Sequence, residues 1–101
     1  MLKQARVYIK GDVIGVGFRA WCKIQAKPLG VTGWIRNVFD SSDIFGAGGG
    51  VEACFQAEED ALIEILDKVK QGPPVSHVED TEVILEEPRE VIDDFAILPN
   101  K

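Results

Sequence analysis

This chain of 101 residues has few of the residue types that most often carry chemistry in proteins. It contains two cysteines, one histidine and one methionine. The cysteines, Cys22 and Cys54, form neither a Cys-x-x-Cys pair nor a metal-ligand spacing. No apolar run is long enough to cross a membrane, and the N-terminal residues lack the apolar core of a secretory signal. We therefore expect a cytoplasmic protein with free thiols and no metal site, although the sequence alone leaves a disulfide open.

Positive charge is also scarce. The 11 basic residues are outnumbered by 17 acidic ones, and the formal net charge is −6. Binding to a nucleic-acid backbone needs a basic face, so we expect neither a nucleic-acid nor a membrane partner. A small anionic ligand would need a strong local positive site to overcome the unfavourable global field. The length fits a single domain, residues 1–101, which we expect to be monomeric.

Hydrophobic periodicity predicts an alternation of strands and helices. Helices are predicted to begin at residue 18 and at residue 58, and the second ends at Gly72. In the fourth strand, Val83 and Leu85 are predicted to point inward, with a bulge near Asp80. The predicted strands cover residues 5–11, 31–39, 51–57, 76–86 and, as a short last strand, 95–98.

This element order predicts an α+β fold, the ferredoxin-like βαββαβ sandwich with a short C-terminal strand. No helix separates strands two and three, so they should pair as an antiparallel hairpin. Two right-handed crossovers then place both helices on one face of an antiparallel sheet. In that topology residues 11–19, Asn37 and the turn at 40–50 meet at one end of the sheet.

Residues 11–19, GDVIGVGFR, contain three glycines and end on an arginine at the start of the first helix. Glycines let successive amides turn inward and form an anion-binding concavity. The helix N-terminus adds free N–H groups, and Arg19 adds a planar fork suited to phosphate or carboxylate. Asn37 carries no charge but can hold a water molecule by donating and accepting. These features predict an oxyanion site.

Two nucleotide-binding motifs match this stretch only in part. Gly15, Gly17 and Ala20 fit the dinucleotide fingerprint, and Asp40 lies about twenty residues further on. The chain lacks a second mononucleotide-binding half, however, and has no helix between strands two and three. A phosphate-binding P-loop needs Gly-Lys-Ser/Thr before its helix, where this sequence reads GFR. We discount both.

Three motifs occur together: GVGFR at 15–19, LGVTGWIRN at 29–37 and QGPP at 71–74. In this combination the chain resembles the acylphosphatase family over about residues 5–98. The resemblance implies the same sandwich fold and an enzyme that hydrolyses acyl phosphates to a carboxylate and inorganic phosphate, with no metal and no cofactor. The implied partner is a small-molecule acyl phosphate.

The resemblance also implies roles for single residues. Arg19 would bind the phosphate, and Asn37 would orient the water that attacks phosphorus in line. No general base stands out, so a phosphate oxygen of the substrate would take the proton; phosphoryl transfer relies mainly on positioning and charge stabilisation. The amides that would form the phosphate cradle belong to Ile14, Gly15, Val16, Gly17, Phe18 and Arg19.

The chain departs from the family pattern in two places. Asp12 and Ile14 stand where the family usually has an arginine and a glutamine; we expect Asp12 to face solvent and Ile14 to keep its amide in the cradle. The segment 40–50, DSSDIFGAGGG, is longer than the tight Asp-Gly turn common in the family. We favour a mobile, tolerated insertion over a lid or acyl-group contact.

Alternatives to each assignment stay open at this stage. Arg19 could pair with Asp12 or Asp40, Asn37 could be a turn residue, and the whole domain could bind phosphate without turning it over. RNA binding, which the same element order supports elsewhere, would need aromatic residues on the outer face of the third strand. A similar domain begins the carbamoyltransferases of hydrogenase maturation, which are far longer and carry zinc-finger cysteines.

Overall fold

The computed structural model describes all of residues 1–101, and its five strands form one sheet in the order β4-β1-β3-β2-β5. The strands are β1 (Lys3–Asp12), β2 (Thr32–Val38), β3 (Gly50–Ala57), β4 (His77–Glu86) and β5 (Phe95–Ile97). The helices are α1 (Phe18–Ala26), followed by a 3-10 turn over Lys27–Leu29, the short α2 (Ser42–Phe45), and α3 (Glu59–Gln71). None of these helices is long and apolar enough to cross a bilayer.

Strand pairing confirms the predicted ferredoxin-like arrangement. Strand β3 is antiparallel to both β1 and β2, so β1 and β2 run in the same direction and end on the same side of the molecule. Strand β4 pairs antiparallel with the other edge of β1. The C-terminal strand β5 pairs with β2 in parallel, which makes the five-stranded sheet mixed at that edge.

The core lies between one face of the sheet and helices α1 and α3. Each helix buries residues three or four positions apart, the spacing that places side chains on one helical face. Acidic residues in the first turn of α3 and lysines in its last turn suit the helix dipole. The buried helical residues are Phe18, Cys22 and Ala26 in α1 and Leu62, Ile65 and Val69 in α3.

The edge strand β4 corrects one prediction. Val83 lies opposite Val7 of β1, so it is on the core face as predicted, and the same holds for Leu85 opposite Ala5. Both side chains nevertheless stay exposed, Leu85 to 75%. The core helices cover the centre of the sheet and leave this edge open. The predicted bulge near Asp80 is confirmed, because the β1–β4 register shifts by one residue there and Glu79 is the extra residue.

The other face of the sheet carries a polar network. Glu52 is buried between Arg6 and Arg36, with N–O distances of 3.0 and 2.8 Å, and both guanidinium groups lie over the ring of Trp34. Cys54 lies on this face beside Arg6, whereas Cys22 is in the core on the opposite face. The two thiols are free and the sheet separates them, so the disulfide that the sequence left open does not form.

Candidate active site

The glycine loop between β1 and α1 presents a row of free backbone amides. Gly15 and Gly17 have φ angles of 78° and 76°, a left-handed conformation that glycine adopts without strain. No carbonyl or side chain of the protein accepts a hydrogen bond from the amides of residues 14–20, and no side chain caps α1 at Gly17. Unpaired amides at a helix N-terminus form a ready-made anion site. The cradle predicted from the sequence is therefore available.

Arg19 is the second residue of α1 and is half-buried at this end of the helix. It forms no salt bridge with any side-chain carboxylate, so the alternative pairing with Asp12 or Asp40 does not occur. Its Nη1 instead donates a hydrogen bond to Oδ1 of Asn100, over 3.3 Å. A single neutral acceptor leaves most of the guanidinium donors free for an anion.

Asn37 lies near the end of β2, in the row of alternate residues that faces the helices. Its neighbours in that row, Gly33 and Ile35, are buried, and Asn37 itself is only 4% exposed. Its Oδ1 has no hydrogen-bond partner in the protein. Leaving a buried polar group unpaired costs about 1–3 kcal/mol, so such a group calls for a partner such as water or ligand.

The C-terminal segment brings Arg19 and Asn37 to the same end of the molecule. Beyond β5 this segment continues beside β2, where the amide of Lys101 donates to the carbonyl oxygen of Asn37 over 2.9 Å. The residue before it, Asn100, accepts the hydrogen bond from Arg19. Arg19 and Asn37 thus contact consecutive residues of one strand extension. The sequence analysis missed Asn100, because no motif marks it and its position depends on the parallel pairing of β5.

Part of the segment 40–50 packs on the sheet, whereas Ser42, Asp43 and residues 46–48 are exposed, and the expected mobility of the segment stays a prediction. It contains α2, and the ring of Phe45 packs edge-on against Tyr8 with centroids 5.8 Å apart. Phe45 also fills the space above Gly50, where an added Cβ would overlap its ring. The tight packing holds this segment against β1 and the start of the glycine loop.

The two thiols and the single histidine do not belong to the proposed site. Burial raises the pKa of the Cys22 thiol to about 12, so this cysteine stays protonated in the core. Burial likewise raises the pKa of Cys54, which lies on the far face of the sheet. His77 is exposed at the start of β4, opposite Asp12. The polar groups at this end that lack protein partners are the amides of residues 14–20 and Oδ1 of Asn37, and Arg19 has only Asn100 as an acceptor.

Fold and site together define an α+β sandwich of ferredoxin-like topology with unpaired backbone amides at the N-terminus of its first core helix. The sequence profile of the acylphosphatase family matches residues 5–97. The acylphosphatase of Pyrobaculum islandicum is 42% identical over 96 residues, which are 95% of this chain and 94% of that protein. The acylphosphatase of Pyrobaculum calidifontis is 38% identical over 99% of this chain and 84% of its own length.

Solved structures agree with these sequence comparisons. The crystal structure of acylphosphatase from Bacillus subtilis superposes with a TM-score of 0.83 at 34% identity, over 97% of this chain and 99% of that one. The structure of full-length HypF also superposes with a TM-score of 0.83, over 99% of this chain and 12% of HypF. At 22% identity, this similarity shows only a shared fold. The chain belongs to the acylphosphatase family, and the predicted family and enzyme class are thereby confirmed.

Proposed function

We propose that this enzyme hydrolyses small acyl phosphates to a carboxylate and inorganic phosphate, with Arg19 and the amides of residues 14–19 binding the phosphoryl group. The buried, unpaired Oδ1 of Asn37 carries the proposal, since it lies at the cradle end of the sheet and lacks a protein partner. A water molecule that donates a hydrogen bond to this oxygen would be held for attack on phosphorus.

The reaction needs no proton acceptor from the side chains named above. Water attacks phosphorus in line, the bond between phosphorus and the acyl oxygen breaks, and the carboxylate leaves with the bonding electrons. A phosphoryl oxygen takes the proton from the attacking water. Free amides and the Arg19 guanidinium stabilise the charge on the phosphoryl oxygens, and positioning supplies most of the remaining rate increase.

A second candidate is a domain that binds phosphate but turns over acyl phosphates poorly. One observation favours it: Asp12, which is exposed at the end of β1 as expected, is among the residues around a cavity that also includes Ile14, the first residue of the proposed cradle. A negative charge there opposes the approach of an anion. Measurable phosphate affinity without hydrolysis would identify this case.

The test is hydrolysis of benzoyl phosphate by the wild type and by Arg19→Ala, Asn37→Ala and Lys23→Ala. Asn37→Ala should lower kcat about 100-fold with little change in the inhibition constant of inorganic phosphate, because only the water loses its acceptor. Arg19→Ala should weaken both phosphate binding and turnover. Lys23 is an exposed cation one turn further along α1, so its removal controls for the loss of charge.

Equal activity of Arg19→Ala and Lys23→Ala would contradict the role proposed for Arg19.

Activity of the wild type should survive a chelator such as EDTA, since the proposed mechanism uses no metal. We further propose that residues 1–101 act as one monomeric domain. Sedimentation at assay concentrations tests this, and the cytoplasmic location stays a prediction.

A further inference from the structure

A cavity of about 390 Å³ lies next to the phosphate cradle. Residues 11–14 form one wall, and Phe45 with Gly48 and Gly49 forms another. Ile14 connects the cavity with the proposed cradle, since it is one of the residues that line the cavity and its amide is the first of the free amides. A group attached to a phosphoryl in the cradle therefore has room to extend into this space.

The packing of the 40–50 segment shapes the apolar part of this cavity. Phe45 is held in place by its edge-on contact with Tyr8. Gly49 comes so close to β2 and the glycine loop that an added Cβ would lie 2.6 Å from the Val38 carbonyl oxygen and 3.2 Å from Cδ1 of Ile14. Phe45 and Ile14 thus give an open and mainly polar cavity a small apolar contact surface.

The charged part of the cavity is acidic. Asp12 is the last residue of β1, and Glu79 is the extra residue of the β4 bulge. The bulge directs the side chain of Glu79 over Gly11, where a Cβ added to Gly11 would lie 3.2 Å from Cγ of Glu79. Neither carboxylate takes part in a salt bridge, and no lysine or arginine lines the cavity. Two unpaired carboxylates around a partly apolar space repel a third.

We infer that this cavity receives the acyl group of the substrate, and that Asp12 and Glu79 select against acyl groups that carry a carboxylate. The inference rests on the proposed hydrolysis of acyl phosphates and names the substrate class: neutral or cationic acyl groups with an apolar part. Phe45 and Ile14 provide the apolar contact.

The experiment compares three substrates of one shape: benzoyl phosphate, 4-carboxybenzoyl phosphate and 4-(aminomethyl)benzoyl phosphate. The wild type should hydrolyse the carboxylated compound with a kcat/KM about tenfold below that of benzoyl phosphate, and the aminomethyl compound at least as well as benzoyl phosphate. In Asp12→Asn/Glu79→Gln the penalty on the carboxylated substrate should fall to about twofold.

A matched control separates this local effect from net charge. Glu64→Gln/Asp67→Asn changes the net charge equally on the outer face of α3, where both residues are exposed, and it should leave the ratio between the substrates as in the wild type. Phe45→Ala should lower kcat/KM for benzoyl phosphate several-fold more than for acetyl phosphate, which is too small to reach the ring.

The outcomes are distinguishable. Equal kcat/KM of the wild type for all three substrates overturns the inference and leaves the hydrolytic function intact. A carboxylate penalty that persists in Asp12→Asn/Glu79→Gln, or that the control removes equally well, also overturns it. If the wild type hydrolyses none of the acyl phosphates, the proposed function itself fails and the inference falls with it.

Discussion

Arg19 and Asn37 owe their positions to different causes. Arg19 is placed locally, since α1 begins directly after Gly17 and its second residue must lie beside the free amides of the first turn. Asn37 is placed by sheet register, opposite Val51 of β3 and on the helix-facing side of β2. A substitution near Arg19 therefore acts through the helix start, whereas one near Asn37 acts through the strand.

Asn100 is the residue whose effect on the site the structure alone reveals. We expect Asn100→Ala to raise KM for benzoyl phosphate and the inhibition constant of phosphate about threefold, because Arg19 loses the acceptor that orients it. The value of kcat should change less, since Arg19 keeps its charge and the Asn37 water is untouched. Steady-state kinetics with phosphate as competitive inhibitor measure both.

Asn100→Asp provides the comparison for that prediction. A carboxylate at this position would pair with Arg19 and compete with the phosphoryl group, so phosphate binding should weaken further than in Asn100→Ala. If both variants match the wild type in KM and phosphate inhibition, the Arg19–Asn100 hydrogen bond does not position the guanidinium.

At Gly33 of β2 the neighbouring strand β3 leaves no room for a side chain. Its φ angle is 137°, and an added Cβ would overlap the carbonyl oxygen of Cys54. We expect Gly33→Ala to lower the free energy of unfolding by about 3–5 kcal/mol, because rigid backbone of the neighbouring strand has to move. Urea denaturation monitored by tryptophan fluorescence measures the loss.

Gly30→Ala is the matched control. Gly30 ends the turn after α1 with a φ angle of 71°, but open space surrounds its Cα. Only the cost of the left-handed conformation applies there, about 1–2 kcal/mol. Equal destabilisation by the two variants would show that strand contact adds nothing at Gly33.

The connection from β4 to β5 crosses the whole sheet on the face away from the helices. Gln56 of β3, which is 1% exposed, anchors it by donating to the carbonyl oxygen of Glu90 over 2.7 Å and accepting from the amide of Ile92 over 2.9 Å. This strap covers the outer face of β3, where RNA-binding domains of similar element order expose aromatic residues.

Across the molecule, the outer-face charge network makes stability depend on pH. The hydrogen bond from Gln4 and the charges of Arg6 and Arg89 lower the pKa of Glu86 below its ordinary value of 4.5, partly offset by burial. A carboxyl group whose pKa is lower in the folded state stabilises the folded protein at pH values above the pKa of the unfolded state. This stabilisation is lost as the pH falls through the pKa of the folded state. The free energy of unfolding should therefore decline below about pH 4.5.

Glu86→Gln tests this assignment. The variant should be less stable than the wild type at pH 7, and the difference should shrink as the pH falls from 5 to 3, where the wild-type carboxyl also becomes neutral. Glu87→Gln, at the exposed neighbouring position, should follow the wild type throughout. A stability difference between Glu86→Gln and the wild type that stays constant from pH 7 to 3 would contradict the role of Glu86.

Local patterns in the sequence were sufficient for the two core helices, the five strands and the ferredoxin-like order of the first four strands, but not for α2 or for the parallel pairing of β5. Alternation predicted β1 and β2 within two residues of their observed ends, and the glycines of GVGFR predicted an anion-binding loop, because these properties depend on neighbouring residues. Val83 shows what the alternating pattern cannot predict. The pattern placed Val83 on the correct face of the sheet, but it does not indicate whether a helix covers that edge of the sheet.

Long-range contacts determined the rest. The placing of Asn100 beside Arg19 depends on the parallel pairing of β5 with β2, in which Gly33 lies opposite Phe95, 62 residues later in the chain. The packing of Phe45 on Tyr8 depends on where the 40–50 segment meets the sheet. The sequence by itself determined the glycine loop and placed Arg19 at the start of α1, the groups that we propose bind an anion. Only the tertiary structure decided that Asp12 and Glu79 face one cavity beside them, because a bulge in a distant strand directs Glu79 there.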